Sequence, residues 1–158
     1  RLPNDRKHQV KLFGYYQATP EWGFGGNLLL ASGRPKNCIG NAPSTTGDFF
    51  TNGAITNYSH YNSEYFFCNG VASPRGSAGN LPADIRLDLN FTYKPDYLKG
   101  FGVKLDIFNV FDRQSPQAIE ERYNTPGGAT TVWNRFGTVE SYTSPRSMKI
   151  TASYDYKF

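Results

Sequence analysis

The sequence predicts an all-β chain: about five strands of an antiparallel, up-and-down transmembrane β-barrel, a barrel segment with two long extracellular loops. Three observations predict it. Apolar and polar residues alternate with period two over lengths that suit a membrane-crossing strand. Short and long connections alternate along the chain. Aromatic residues gather beside the short turns.

Composition fits this class. Aromatic residues make up 16% and charged residues 19% of 158 residues, and Tyr, Phe, Thr and Gly outweigh the usual helix formers, which argues against a helical protein. Mean hydropathy is negative, and no run of about 18 apolar residues offers a transmembrane helix. Barrel strands average to mild polarity because lipid-facing and lumen-facing residues alternate.

The first strand, His8 to Ala18, sets Val10, Leu12, Tyr16 and Ala18 against Lys11 and Gln17, although Phe13 and Tyr15 fall on the polar face. Thr19-Pro20-Glu21 makes a short turn. The second strand, Trp22 to Arg34, points Trp22, Phe24, Leu28 and Leu30 outward and Gly23, Gly25 and Asn27 inward, with Leu29 as the exception. A long loop, about Pro35 to Ala83, follows. The third strand, Asp84 to Lys94, carries Ile85, Leu87, Leu89, Phe91 and Tyr93 on one face and Asp84, Arg86, Asp88, Asn90, Thr92 and Lys94 on the other. The turn from Pro95 to Gly100 leads to a fourth strand, Phe101 to Ile107. Its alternation blurs at Phe108-Asn109-Val110-Phe111, where the strand is expected to leave the lipid band.

The second long loop, about Asp112 to Pro145, ends at the cleanest strand of all. From Met148 to Phe158 the even positions Met148, Ile150, Ala152, Tyr154, Tyr156 and Phe158 are apolar or aromatic and the odd ones polar. Compact domains rarely carry two long structureless loops, whereas barrels with short periplasmic turns and long extracellular loops do so routinely. Tyr16, Trp22, Phe24, Phe91, Tyr93, Tyr97, Phe101, Tyr156 and Phe158 would then form an aromatic girdle at the short-turn rim.

Candidate sites are few. Cys38 and Cys68 lie in one long polar segment without CxxC spacing, which disfavours zinc and suits one disulfide made in an oxidising compartment; two free thiols are the alternative. Between Asp48 and Phe67, the aromatics Tyr58, His60, Tyr61, Tyr65 and Phe66 sit amid Asn, Ser and Thr. Such a mixture suits ligand contact, or simple packing of the loop. Arg86, Asp88, Lys104 and Asp106 would line a lumen path or form a cross-strand charge network. Only two histidines occur, with no nucleophile elbow, phosphate loop or HExxH, so neither an enzyme, a metal nor a cofactor is expected. Basic residues are spread along the chain and interleaved with acidic ones, so no nucleic-acid partner is expected.

Several segments resemble the carboxy-terminal part of a TonB-dependent outer-membrane receptor of the Oar-like group. They are Asn4-Asp5-Arg6-Lys7-His8-Gln9 with Pro20-Glu21-Trp22 and Ser32-Gly33-Arg34-Pro35; Tyr65 to Gly70 with Pro74 to Pro82; Leu87 to Asn90 with Tyr93-Lys94-Pro95 and Leu105 to Asp112; and the terminal strand ending in Phe158. The resemblance implies residues 1–158 as the end of a large barrel whose plug and TonB box are absent from this sequence. It implies a place in the bacterial cell outer membrane and a part in binding and importing a scarce nutrient. The implied partners are outer-membrane lipid, the barrel-assembly machinery, the remainder of the barrel with its plug, and TonB through the missing amino-terminal part. Ile150, Ala152, Tyr154, Tyr156 and Phe158 are similar to the signal that assembly machinery reads. The alternative reading is a soluble β-sandwich with lectin-like ligand binding.

Overall fold

A computed structural model describes residues 2, 4–41, 64–125 and 131–156. The described residues form eleven strands and no helix, and all the sheets are antiparallel. The chain divides into two compact units.

One unit comprises Lys7–Ser32, Ala83–Ser115 and Thr143–Phe158. It is built on five long strands: β1 (Gln9–Gln17), β2 (Trp22–Ala31), β7 (Asp84–Tyr93), β8 (Phe101–Phe108) and β11 (Ser147–Tyr154). They pair in the order β1-β2-β7-β8-β11, an open meander with β1 and β11 at its edges. These strands arise where period-two patterning predicts them. β2 stops at Ala31 instead of Arg34 and β11 at Tyr154, while Phe158 lies outside the described residues.

The register brings the apolar residues of all five strands onto one face. Leu12 aligns with Leu28 and Leu87. Tyr16, Phe24, Phe91, Leu105 and Ile150 form one row across the sheet, and Gly14, Gly26, Leu89, Ile107 and Met148 form the next. Trp22, Tyr93, Val103 and Ala152 make the row nearest the turns. A one-residue slip at any pair would move a strand's apolar set to the other face, so the shared pattern specifies the register.

On the opposite face Tyr15, one of the two aromatics that broke the pattern of β1, finds a use, while Phe13 stands exposed. Tyr15 aligns with Gly25, and its hydroxyl lies over Gly23 while donating to Gln17 Oε1 at 2.6 Å. Asn90 covers Gly25 in the same way. Any side chain at Gly23 would displace that Tyr15 ring, so the glycine makes room for its neighbour. Leu29, the other exception, aligns with Lys11 and Arg86.

The charged residues of this face pair along their own strands and not across the turn. Lys104 meets Asp106 at 2.8 Å and Arg86 meets Asp84 at 3.3 Å. The register explains the difference: Lys104 falls opposite Thr92 and Thr151, and β8 pairs with β7 only from Leu89 to Tyr93. Asp88 lies beyond that ladder and accepts a hydrogen bond from the Asn109 N–H at 2.9 Å.

Turns are closed by local polar contacts. Between β1 and β2, Thr19 Oγ1 accepts from the Trp22 N–H at 3.0 Å. Between β7 and β8, Glu21 Oε1 accepts from the Asp96 N–H at 2.9 Å, tying the two short turns together. The blurred segment after Ile107 is where β8 ends: Asn109 and Asp112 adopt φ near 50° and 52°. There Asn109 Nδ2 donates to the Ser144 carbonyl at 2.8 Å and Asp112 Oδ1 accepts from the Arg146 N–H at 2.8 Å. Asn and Asp tolerate this left-handed backbone better than branched residues.

The other unit comprises Arg1–Arg6, Gly33–Pro82 and Pro116–Tyr142, which is to say most of both long connections. The composition of these connections predicts two structureless loops, but their described parts form short strands. They carry β3 (Gly40–Asn41) paired with β4 (Glu64–Tyr65), β5 (Phe67–Cys68) with β6 (Val71–Ala72), and β9 (Pro116–Ile119) with β10 (Val139–Tyr142). Short strands broken by bulges leave no period-two signal in the sequence, as at Val139 to Tyr142, where the register shifts twice.

Candidate functional site

Two features stand out: the open apolar face of the long sheet, and a braced group of polar and aromatic residues in the loop unit.

The apolar face is uncovered. Among the described residues only Ala31, Cys38 and Leu81 are buried hydrophobics. A water-soluble sheet of this size hides its apolar side chains in a core. Here Leu12, Tyr16, Met148, Ile150 and Tyr154 stand exposed, Ile150 at 74%. The face is also sorted. Aromatics hold the rows near the short turns, with Trp22 stacked on Tyr93 at 4.4 Å and Phe24 edge-on to Phe91 at 5.7 Å. Aliphatic residues fill the rows beyond.

In the loop unit, Cys38 and Cys68 form a disulfide, with Cα atoms 5.4 Å apart. Cys38 is buried and Cys68 half-buried. The bridge ties the chain just before β3 to the β5–β6 hairpin. A buried polar network lies beside it in sequence. Arg34 donates to Glu121 Oε1 at 2.8 Å and to the Gln117 carbonyl at 2.8 Å. Asn37 Nδ2 donates to Glu121 Oε2 at 2.7 Å, and Asn37 Oδ1 accepts from the Gly76 N–H at 2.8 Å. Both oxygens of the Glu121 carboxylate are thereby satisfied, as burial requires. This network joins the two long connections to each other within the unit.

A second group surrounds Trp133. Arg122 lies 4.3 Å and Arg135 5.4 Å from its ring centroid. Arg122 also grips Glu120 through two side-chain bonds of 3.0 and 2.9 Å. The Arg122 guanidinium bonds, assisted by its backbone N–H and by Arg135, pull the Glu120 carboxyl down to about 2 against the opposing cost of burial. Nothing in the spacing of these residues marked them in the sequence. Guanidinium stacking on an aromatic depends on loop conformation, and only the alternation of aromatic and basic residues from Arg122 to Arg135 hints at it.

Of the aromatics expected to contact ligand, Tyr58, His60 and Tyr61 lie outside the described residues. Tyr65 is in β4 opposite Gly40, and Phe66 is half-buried beneath the Arg75 guanidinium, 5.0 Å from its ring centroid. Of the terminal-strand residues, Ile150, Ala152, Tyr154 and Tyr156 are exposed, and Phe158 lies outside the described residues. Tyr154 and Tyr156 approach one another at 6.5 Å. Compared with protein-family models, with curated proteins and with solved structures, the chain finds no match.

Proposed function

We propose that the chain is part of a TonB-dependent outer-membrane transporter of the Oar-like kind, which binds and imports a scarce nutrient. The five long strands are a stretch of its barrel wall and the two long connections its extracellular loops. One observation carries the reading: a continuous apolar face, with its aromatics gathered at one end, stands open to the surroundings on a sheet whose other face is mostly polar, Phe13, Tyr15 and Leu29 apart. Lipid is a solvent in which such a face is at its free-energy minimum, and aromatic rings prefer the headgroup level. The strands also have the right reach. Ten residues at roughly 3.3 Å each, tilted near 45°, cover roughly the 25 Å apolar band of an outer-membrane barrel. Open edges at β1 and β11 are the places where further barrel strands pair.

The test uses the two tryptophans, one in each unit. Trp22 lies on the apolar face and Trp133 in the loop unit. With the full protein, its tryptophans outside residues 1–158 replaced by Phe, inserted in bilayers whose acyl chains carry bromine near the headgroup, Trp22 emission is expected to be quenched in the Trp133→Phe protein. Trp133 emission in the Trp22→Phe protein is expected to be untouched. Equal emission with and without bromine in both proteins would instead favour the soluble β-sandwich reading.

A further inference from the structure

We propose that the loop from Arg75 to Asn80 forms a subsite for a small oxyanion, the carboxylate or phosphate group of a ligand. Arg75, Gly76, Ser77, Gly79 and Asn80 line a cleft of about 360 Å³. Its floor is bare of side chains at Gly76 and Gly79, whose φ values of 71° and 93° favour glycine. Its form is held by backbone bonds to a neighbouring strand of chain: the Lys36 N–H donates to the Gly79 carbonyl at 2.8 Å and the Ala78 N–H to the Lys36 carbonyl at 3.2 Å. Asn37 Oδ1 takes the Gly76 N–H.

Arg75 lines this cleft and Lys36 lies beside its Gly79, and neither has a carboxylate partner among the described residues. The Lys36 side chain crosses Gly79 so closely that a methyl group there would meet Cε at 3.4 Å and Nζ at 3.8 Å. Arg75 is steadied over the Phe66 ring. The ion pairs of the described residues join Arg34 to Glu121, Arg86 to Asp84, Lys104 to Asp106 and Arg122 to Glu120, and include neither Lys36 nor Arg75. Glu121, the carboxylate of the adjoining network, is already engaged by Arg34 and Asn37. A guanidinium placed over an aromatic ring can still offer N–H donors to an oxyanion, and an ammonium adds a point charge. Ser77 and Asn80 offer neutral partners on the same wall. The site goes beyond the transporter reading and does not need it: quenching of Trp22 by lipid can fail while the anion still binds, and the reverse.

The experiment is calorimetric titration of the 158-residue chain in detergent, at constant ionic strength, with inorganic phosphate and with citrate. Saturable binding of at least one is expected, the tighter of the two naming the group. Arg75→Gln and Lys36→Gln are each expected to weaken it about tenfold, as loss of one charge-assisted hydrogen bond implies. Ser77→Glu, which seats a carboxylate among the cations, is expected to abolish it. Arg135→Gln makes the same charge change elsewhere in the unit and is expected to leave binding unchanged. Intact disulfide and unchanged circular dichroism certify folding, and Lys36→Gln and Ser77→Glu keep the test open should Arg75→Gln unfold. No saturable binding of either anion, or equal weakening by Arg135→Gln, overturns the site.

Discussion

Among the described residues of the loop unit only Cys38 and Leu81 are buried hydrophobics, so single cross-links and polar contacts weigh heavily in its stability. The disulfide closes a separation of 30 residues, which in the chain-entropy view stabilises the folded state by about 3–4 kcal/mol. Cys38→Ser is therefore expected to loosen this unit without disturbing the long sheet, and partial proteolysis should cut the variant within the long connections first. Glu120 adds a dependence on pH. Its folded-state value, about 2, lies below the ordinary 4.5, so its contribution is complete above about pH 4.5 and is lost as the pH falls toward 2. Trp133 emission, followed during acid titration of the Trp22→Phe protein, should report that loss. Glu120→Gln is expected to remove this part of the pH dependence, and an unchanged acid transition in that variant would show that the Glu120–Arg122 pair does not control it.

Individual strands show how far alternation can be trusted. β7 and β11 follow period two without exception, and both appear where the pattern places them. β1 and β2 break the pattern at Phe13, Tyr15 and Leu29, yet pair in register across nine residue pairs. The break at Tyr15 makes sense only in the sheet, where its ring fills the gap over Gly23. Gly23→Val is accordingly expected to expel the Tyr15 ring and break its bond to Gln17, lowering the yield of folded protein, and Tyr15→Ala should relieve much of that loss. The faces of β11 make a sharper test in the proposed barrel. Ile150 aligns with Leu105 on the apolar face, and Thr151 with Lys104 on the polar one. A lysine facing lipid near mid-bilayer costs about 2–4 kcal/mol. Ile150→Lys should then reduce the heat-modifiable, folded fraction of the full protein in outer-membrane preparations, with Thr151→Lys close to wild type. Indistinguishable yields would mean that the apolar face does not meet lipid.

At the scale of the whole molecule, the division into a sheet unit and a loop unit follows the alternation of connections. Short turns close one end of the sheet, while the segments that build the loop unit leave after β2 and β8 and return before β7 and β11. In the proposed transporter the long connections are extracellular and the short turns periplasmic. A membrane-impermeant thiol reagent applied to intact cells should label Ser73→Cys and Asn134→Cys of the full protein and leave Asp96→Cys unlabelled. Labelling of Asp96→Cys from outside would invert or abolish that topology.

The long sheet was legible from the chain alone because successive side chains of a strand point to opposite faces, so a difference between the faces is written locally at every second residue. The pairing of Cys38 with Cys68 was legible for a simpler reason, since two cysteines in one polar segment leave few other partners. The loop unit was not legible. Arg34 meets Glu121 across 87 positions, and Asn37 reaches it across 84. No local pattern announces such a meeting, because a hydrogen bond between distant segments depends on where the backbone has already carried them. Lys36 and Arg75, without an ion-pair partner among the described residues, belong to the same class: a charge in a sequence says nothing of its partner until the chain has folded.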